Sequence, residues 1–243
     1  MKNKIIAIAK SLLWCVTIIA FPVISGTICV VMKISSPGTF YVQGFAMVLS
    51  LIIPFIFLLS KKWEKAEIGF SRFDVLNMKK ALLFVPVLII FLPVAVKGLY
   101  YKDAGYFFGV LFLYLFVGIA EELYFRGIIP YYLKKEFNTK WIIIISTIIF
   151  GLGHLSTAFT GTDGVMVFLI VLNAFIFGFM AIEMAVIGKN ITPIIFVHFL
   201  FDFETKIIKL NGQELLTAEI IRGTLMVFIV IWLSLVIYKN KIF

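Results

Sequence analysis

Residues 106–127 read YFFGVLFLYLFVGIAEELYFRG. An uncharged run from Tyr106 to Ala120 leads directly into Glu121, Glu122 and Arg126. At 1.5 Å per residue such a run carries a helix most of the way through a bilayer. The charges at its end therefore lie inside the hydrocarbon if the helix continues beyond them. An ionisable side chain at that depth costs roughly 2.5–3.5 kcal/mol on insertion scales, so it needs a partner or a purpose.

Outward from this stretch, apolar segments near membrane length recur at 11–32, 40–59, 81–97, 141–159, 165–187, 191–203 and 220–238. With 106–127 they predict an all-α, polytopic membrane bundle of about eight transmembrane helices, the segment 191–203 being the shortest. Composition agrees: 62% of residues are apolar, 14% are charged, and mean hydropathy is +1.09. A soluble domain could not cover that much apolar surface with so little charge. We expect one integral membrane domain over 1–243, since no polar stretch is long enough to fold alone. The first segment is too long for a signal-peptide core and is read as retained. Cys15 and Cys29 lie roughly 21 Å apart on one helix and cannot bridge. The polar segment 60–80, with Trp63, Phe70 and Phe73, predicts an amphipathic connector lying along the interface.

The net charge of +9 would suggest nucleic acid in a soluble protein. Its distribution points elsewhere. With the amino terminus inside, 16 of the 22 Lys and Arg residues fall in inner connections. The outer set holds Lys33, Lys97, Lys102, Lys206, Lys209 and Arg222. This bias predicts both termini in the cytoplasm. The basic balance then reflects orientation in the cell membrane and attraction to anionic lipid. The bilayer is the expected partner, and nucleic acid is not.

The informative residues are those charged or ionisable at depth: Glu121, Glu122, Arg126, His154, His198 and Asp202. The chain has two histidines, and both belong to this group. Unpaired, the four formal charges would cost on the order of 10 kcal/mol. If the helix runs on past Gly127 and Pro130 to Leu133, Glu121 lies roughly 20 Å from the basic interface at Lys134 and Lys135. His154 lies roughly 21 Å past Lys140, and His198 and Asp202 roughly 14 and 20 Å past Lys189. Three helices thus bring ionisable groups to a similar level.

Helix geometry separates the roles. Glu122 and Arg126 are four apart and can pair on one face, as can His198 and Asp202. Glu121 is about 140° around the axis from Arg126 and is free to face something else. The simplest site has Glu121 and His154 holding a water, with His198 and Asp202 opposite. A carboxylate in a low-dielectric cavity suits a general base. A histidine opposite it could donate to the oxyanion formed when water attacks a carbonyl. No G-x-S-x-G, H-E-x-x-H, P-loop or dinucleotide fingerprint occurs.

These stretches resemble the signature of the CPBP family (CAAX proteases and bacteriocin-processing enzymes), also called the Abi family. Its pattern is EExxxR, FxxxH and HxxxN or HxxxD on separate transmembrane helices. Here it reads Glu121-Glu122-Leu-Tyr-Phe-Arg126, Phe150-Gly-Leu-Gly-His154 and His198-Phe-Leu-Phe-Asp202, within a core of about 106–205. The resemblance implies an intramembrane endopeptidase of the CAAX prenyl protease type. Glu121 and His154 would activate water, His198 and Asp202 would form the oxyanion site, and Glu122 and Arg126 would support it. The family is labelled a metalloprotease family, and a metal-free glutamate mechanism is also proposed for it. The glutamate route needs no cofactor; a zinc ion would draw on Glu121, His154 and His198. Asp202 departs from the Asn that many members carry, and an ionised Asp would repel an oxyanion.

Two other functions fit the same residues less well. One is a non-enzymatic bacteriocin-immunity or scaffolding member of the same fold. The other is a proton-coupled transporter, although residues 1–100 hold no matching set of buried charges. Among the remaining polar residues, Glu183 is expected to reach the headgroups and Asn173 to bond a neighbouring helix. Gly151 and Gly153 predict close helix packing or a path for a substrate backbone.

Overall fold

A computed structural model describes residues 2–60, 62–70, 82–100, 102–159 and 163–242. The described residues are helical, with no strand among them. The helices are α1 (Lys2–Val31), α2 (Gly38–Ser50), α3 (Ile52–Leu59), α4 (Leu92–Ala95), α5 (Ala104–Glu122), α6 (Ile129–Leu133), α7 (Thr139–Gly153), α8 (Gly164–Gly188), α9 (Thr192–Ile207) and α10 (Gly212–Lys239). Among the described residues six continuous stretches are long and apolar enough to cross a membrane: Lys2–Val31, Gly38–Leu59, Ala104–Leu133, Thr139–Ala158, Gly164–Gly188 and Gly212–Lys239.

The other two expected spans are helical but short. Segment 81–97 forms a 3₁₀ helix, Leu82–Phe91, that leads into α4. Pro86 and Pro93 each remove a backbone donor there, which works against one long α-helix. Segment 191–203 becomes α9, whose 16 residues reach about 24 Å, less than the hydrocarbon thickness.

The surface is apolar and much of the charge is inside. Leu13, Val16, Phe45, Phe168, Phe196 and Phe228 are exposed, whereas Glu122, Arg126, Glu183, His198, Glu219 and Arg222 are buried. Water would not tolerate that arrangement, and lipid favours it. The chain is a multi-pass membrane protein.

α5 is central, packed on α2 and on α9; α8 lies between α7 and α10, and α1 runs along α2 and α6. The α5–α9 approach depends on Gly118. A Cβ there would sit 3.0 Å from the Ile195 carbonyl oxygen and 3.1 Å from the Phe199 nitrogen. The two backbones thus touch one turn before Glu122 and next to His198. Gly118→Ala is expected to cost about 1–3 kcal/mol, because a rigid backbone has to move. The thermal midpoint in detergent would show it, and an unchanged midpoint would mean that α9 yields freely. Gly151 and Gly153 also serve packing: their Cβ positions meet Phe175 of α8 and Ile19 of α1, respectively.

Past Glu122 the fourth expected span does not break at Gly127 and Pro130. It changes register, running through a π-helix, Leu123–Ile128, into α6. The Ile129 N–H reaches back to the Tyr124 carbonyl, and Pro130 has no N–H to offer Phe125. Ser146 Oγ on α7 donates to that Phe125 carbonyl at 2.9 Å. A proline that would have ended the helix is therefore accommodated by a serine on the neighbouring span.

Two expectations change. Trp63 is buried against Trp14, Phe57 and Tyr131 instead of lying along the interface, because an aromatic cluster takes its ring. Residues 71–80 of the expected connector, Phe73 included, lie outside the described residues. Glu183 does not reach the headgroups: it faces α10, where Ser234 Oγ donates to its Oε1 at 2.5 Å. Asn173 bonds the neighbouring helix as expected, and Cys15 and Cys29 are free and buried.

Candidate active site

α5 presents Glu121 and Glu122 on successive positions, so the two carboxylates diverge around the axis. Glu122 is completely buried and its Oε1 accepts twice, from Arg126 Nη1 at 2.9 Å and from His198 Nδ1 at 2.6 Å. A carboxylate paired with arginine only accepts, so His198 carries its proton on Nδ1. That bond turns His198 Nε2 toward the other carboxylates. It lies 3.5 Å from Asp202 Oδ2 and 3.9 Å from Glu121 Oε2.

His154 opens the 3₁₀ helix His154–Phe159 that follows α7. Its Nδ1 is 3.0 Å from the Phe150 carbonyl, which only accepts, so Nδ1 carries the proton there. Nε2 of the neutral ring is then a free base. Glu121 interacts electrostatically with His154, His198 and Asp202. Its Oε2 is buried with no hydrogen-bond partner among the described residues, and its side chain keeps 18% of its exposure.

The structure therefore gathers Glu121 and Glu122 of α5, Arg126 of the π-helix that follows it, His154 at the end of α7, and His198 and Asp202 of α9. The arrangement differs from the simplest expectation in two respects. His198 stands between the glutamate pair and Asp202, where the expectation set it opposite Glu121 and His154. Glu122 is bound to two partners, while the spacing in the sequence gave it only Arg126. A cavity of about 440 Å³ is walled by His154, His198, Asp202, Tyr114, Phe150 and Phe177. Glu121 is not among the lining residues; its Oε2 lies behind the wall, 3.9 Å from His198 Nε2.

Aromatic rings hold the imidazoles. Phe150 lies 4.6 Å from the His154 ring, and Phe177 4.9 Å from the His198 ring. The Arg126 guanidinium sits 4.0 Å over Phe150. A zinc ion would need at least three donors converging on one point. Among the described residues no three His, Cys, Asp or Glu side chains are so placed. His198 Nδ1 is already committed to Glu122 and His154 Nδ1 to a carbonyl. The donors present do not fit a metal in this arrangement.

At the far end of the cavity a second buried cluster joins Asn173, Glu204, Glu219 and Arg222. Sequence reasoning placed Arg222 in an outer connection. It is instead buried inside α10, which starts at Gly212 under a capping box between Asn211 and Glu214. That N-x-x-E spacing, with Glu219 and Arg222 three apart beyond it, is the signal that could have found the cluster. Arg126 and Arg222 are both buried, so neither belongs to a connection between spans.

No curated protein matches the chain. The family model for Type II CAAX prenyl endopeptidase Rce1-like proteins matches residues 103–203, the stretch that holds all three motifs and with them Glu121, Glu122, Arg126, His154, His198 and Asp202. Over that stretch the chain is similar to the CPBP, or Abi, family, the one its three motifs resemble.

Proposed function

We propose that this chain is an intramembrane endopeptidase that hydrolyses a peptide bond with water activated by Glu121 and His154. The observation that supports it most is the grip of Glu122 on His198. It aims Nε2 at Glu121 and Asp202 on the wall of a cavity that His154 also lines. Glu121 takes a proton from water as the water oxygen bonds to the substrate's carbonyl carbon, with His154 Nε2 as the second basic group. The carbonyl oxygen becomes an oxyanion, which accepts a hydrogen bond from a protonated His198 Nε2. Collapse of the tetrahedral carbon breaks the C–N bond, and the proton held by Glu121 passes to the leaving nitrogen. The substrate is a peptide or membrane-anchored protein, and the Lys and Arg bias puts both chain ends in the cytoplasm.

The experiment is a terminal-peptide comparison of membranes carrying wild type and Glu121→Ala. A peptide whose processing vanishes only in the variant identifies both activity and target. Identical profiles would favour the non-enzymatic alternative. Asp202 supplies a second prediction. Its Oδ2 lies beside His198 Nε2, a contact that an amide oxygen can also make. Asp202→Asn is expected to keep most activity, and Asp202→Ala to lose about 10²-fold. If Asn is as inactive as Ala, the charge of Asp202 is essential and the contact through Oδ2 alone does not suffice.

A further inference from the structure

We propose that Arg222 is a positioning residue that sets α9, and with it His198 and Asp202, against the carboxylates of α5. The inference rests on the hydrolase reading above and concerns a residue beyond the matched stretch 103–203. Arg222 is completely buried. Its Nη1 pairs with Glu219 Oε1 on its own helix at 2.8 Å. Its Nη2 reaches α9 twice, donating to the Phe201 main-chain carbonyl at 2.8 Å and lying 3.0 Å from Glu204 Oε1, an ion-pair contact without hydrogen-bond geometry. Asn173 on α8 completes the junction, donating to Glu219 Oε2 at 2.8 Å and to its carbonyl at 3.0 Å. One guanidinium therefore pins α9 to α10, and through Glu219 to α8.

Phe201 is the link to the chemistry. It is three residues after His198 and directly before Asp202, so a grip on its carbonyl sets the height and rotation of both. A second route runs through rings. The guanidinium lies 3.4 Å over Phe201, Phe201 is 5.2 Å from Phe177, and Phe177 is 4.9 Å from the His198 ring. α9 needs such a brace because it is too short to be located by the two faces of the membrane. A buried ion cluster is poor at adding stability compared with well-packed apolar residues. What the planar fork of arginine adds is geometry, since its donors meet these acceptors in one arrangement of the helices.

The test uses the full chain in liposomes with the peptide found by the profiling above. Arg222→Lys keeps the charge but not the fork. A neutral set, R222M/E204Q/E219Q, removes the cluster without leaving a buried charge. The neutral set is expected to keep a near-normal thermal midpoint, with kcat lower by roughly tenfold or more and KM little changed. Deuterium uptake over residues 199–204 should rise, and Arg222→Lys should recover only part of kcat. Wild-type kcat in the neutral set would overturn the proposal. So would a raised KM at unchanged kcat, which makes Arg222 a substrate contact. Should the neutral set not fold, Arg222→Lys with wild-type kcat and uptake overturns it alone. The uptake measurement needs no catalysis, so it judges Arg222 even if Glu121→Ala shows that the chain is not a hydrolase.

Discussion

Glu121→Gln is expected to lower kcat/KM for the processed peptide by about 10²–10⁴-fold, the range for losing a positioned general base. It should do so with little change in thermal midpoint. Gln fills nearly the same space, and Glu121 Oε2 makes no hydrogen bond among the described residues, so folding loses little. The loss should fall on kcat more than on KM, because the abstracted proton belongs to the transition state and not to substrate binding. The measurement is single-turnover cleavage by purified protein in liposomes, beside Glu121→Asp, which keeps the carboxylate but draws it back. Gln retaining a tenth or more of wild-type activity would move the base elsewhere. His154 Nε2 would then be the first candidate, since its Nδ1 is fixed on the Phe150 carbonyl.

What could be read from the sequence was what one helix decides by itself. The i,i+4 pairings of Glu122 with Arg126 and of His198 with Asp202 follow from 3.6 residues per turn, and both are present. The common depth of Glu121, His154 and His198 follows from counting rise past basic interfaces, and the structure brings the three together. What stayed hidden was set between helices. The bond from His198 to Glu122 joins residues 76 apart in sequence, and nothing in the spacing chooses Glu122 over Glu121. The π-register after Glu122 depends on Ser146 answering a carbonyl that Pro130 leaves unpaired, a fact about α7 and not about α5. Glu183 and Arg222 were misplaced for one reason: hydropathy reports the depth of a charge but not whether a neighbouring helix supplies its partner.

Glu122 separates stability from activity more sharply than any other position. Its single oxygen, Oε1, holds a guanidinium whose side chain is 1% exposed and a histidine that is itself buried. Glu122→Ala leaves that guanidinium uncompensated in a low-dielectric interior, with Nε and Nη2 already lacking hydrogen-bond partners. Removing one partner of a buried pair costs about 3–5 kcal/mol, and replacing both with apolar groups of similar volume is often neutral. Glu122→Ala is therefore expected to lower the thermal midpoint strongly, and Glu122→Leu with Arg126→Leu to restore most of it. The double variant should nonetheless stay inactive. His198 Nδ1 has then lost its acceptor, so neither the tautomer nor the aim of Nε2 toward Glu121 and Asp202 is maintained. Unfolding in detergent and cleavage in liposomes, measured on the same three proteins, give the two readouts. A stable double variant that still cleaves would show that His198 is oriented by its Phe177 packing alone, and Glu122 would then be only the counter-ion of Arg126.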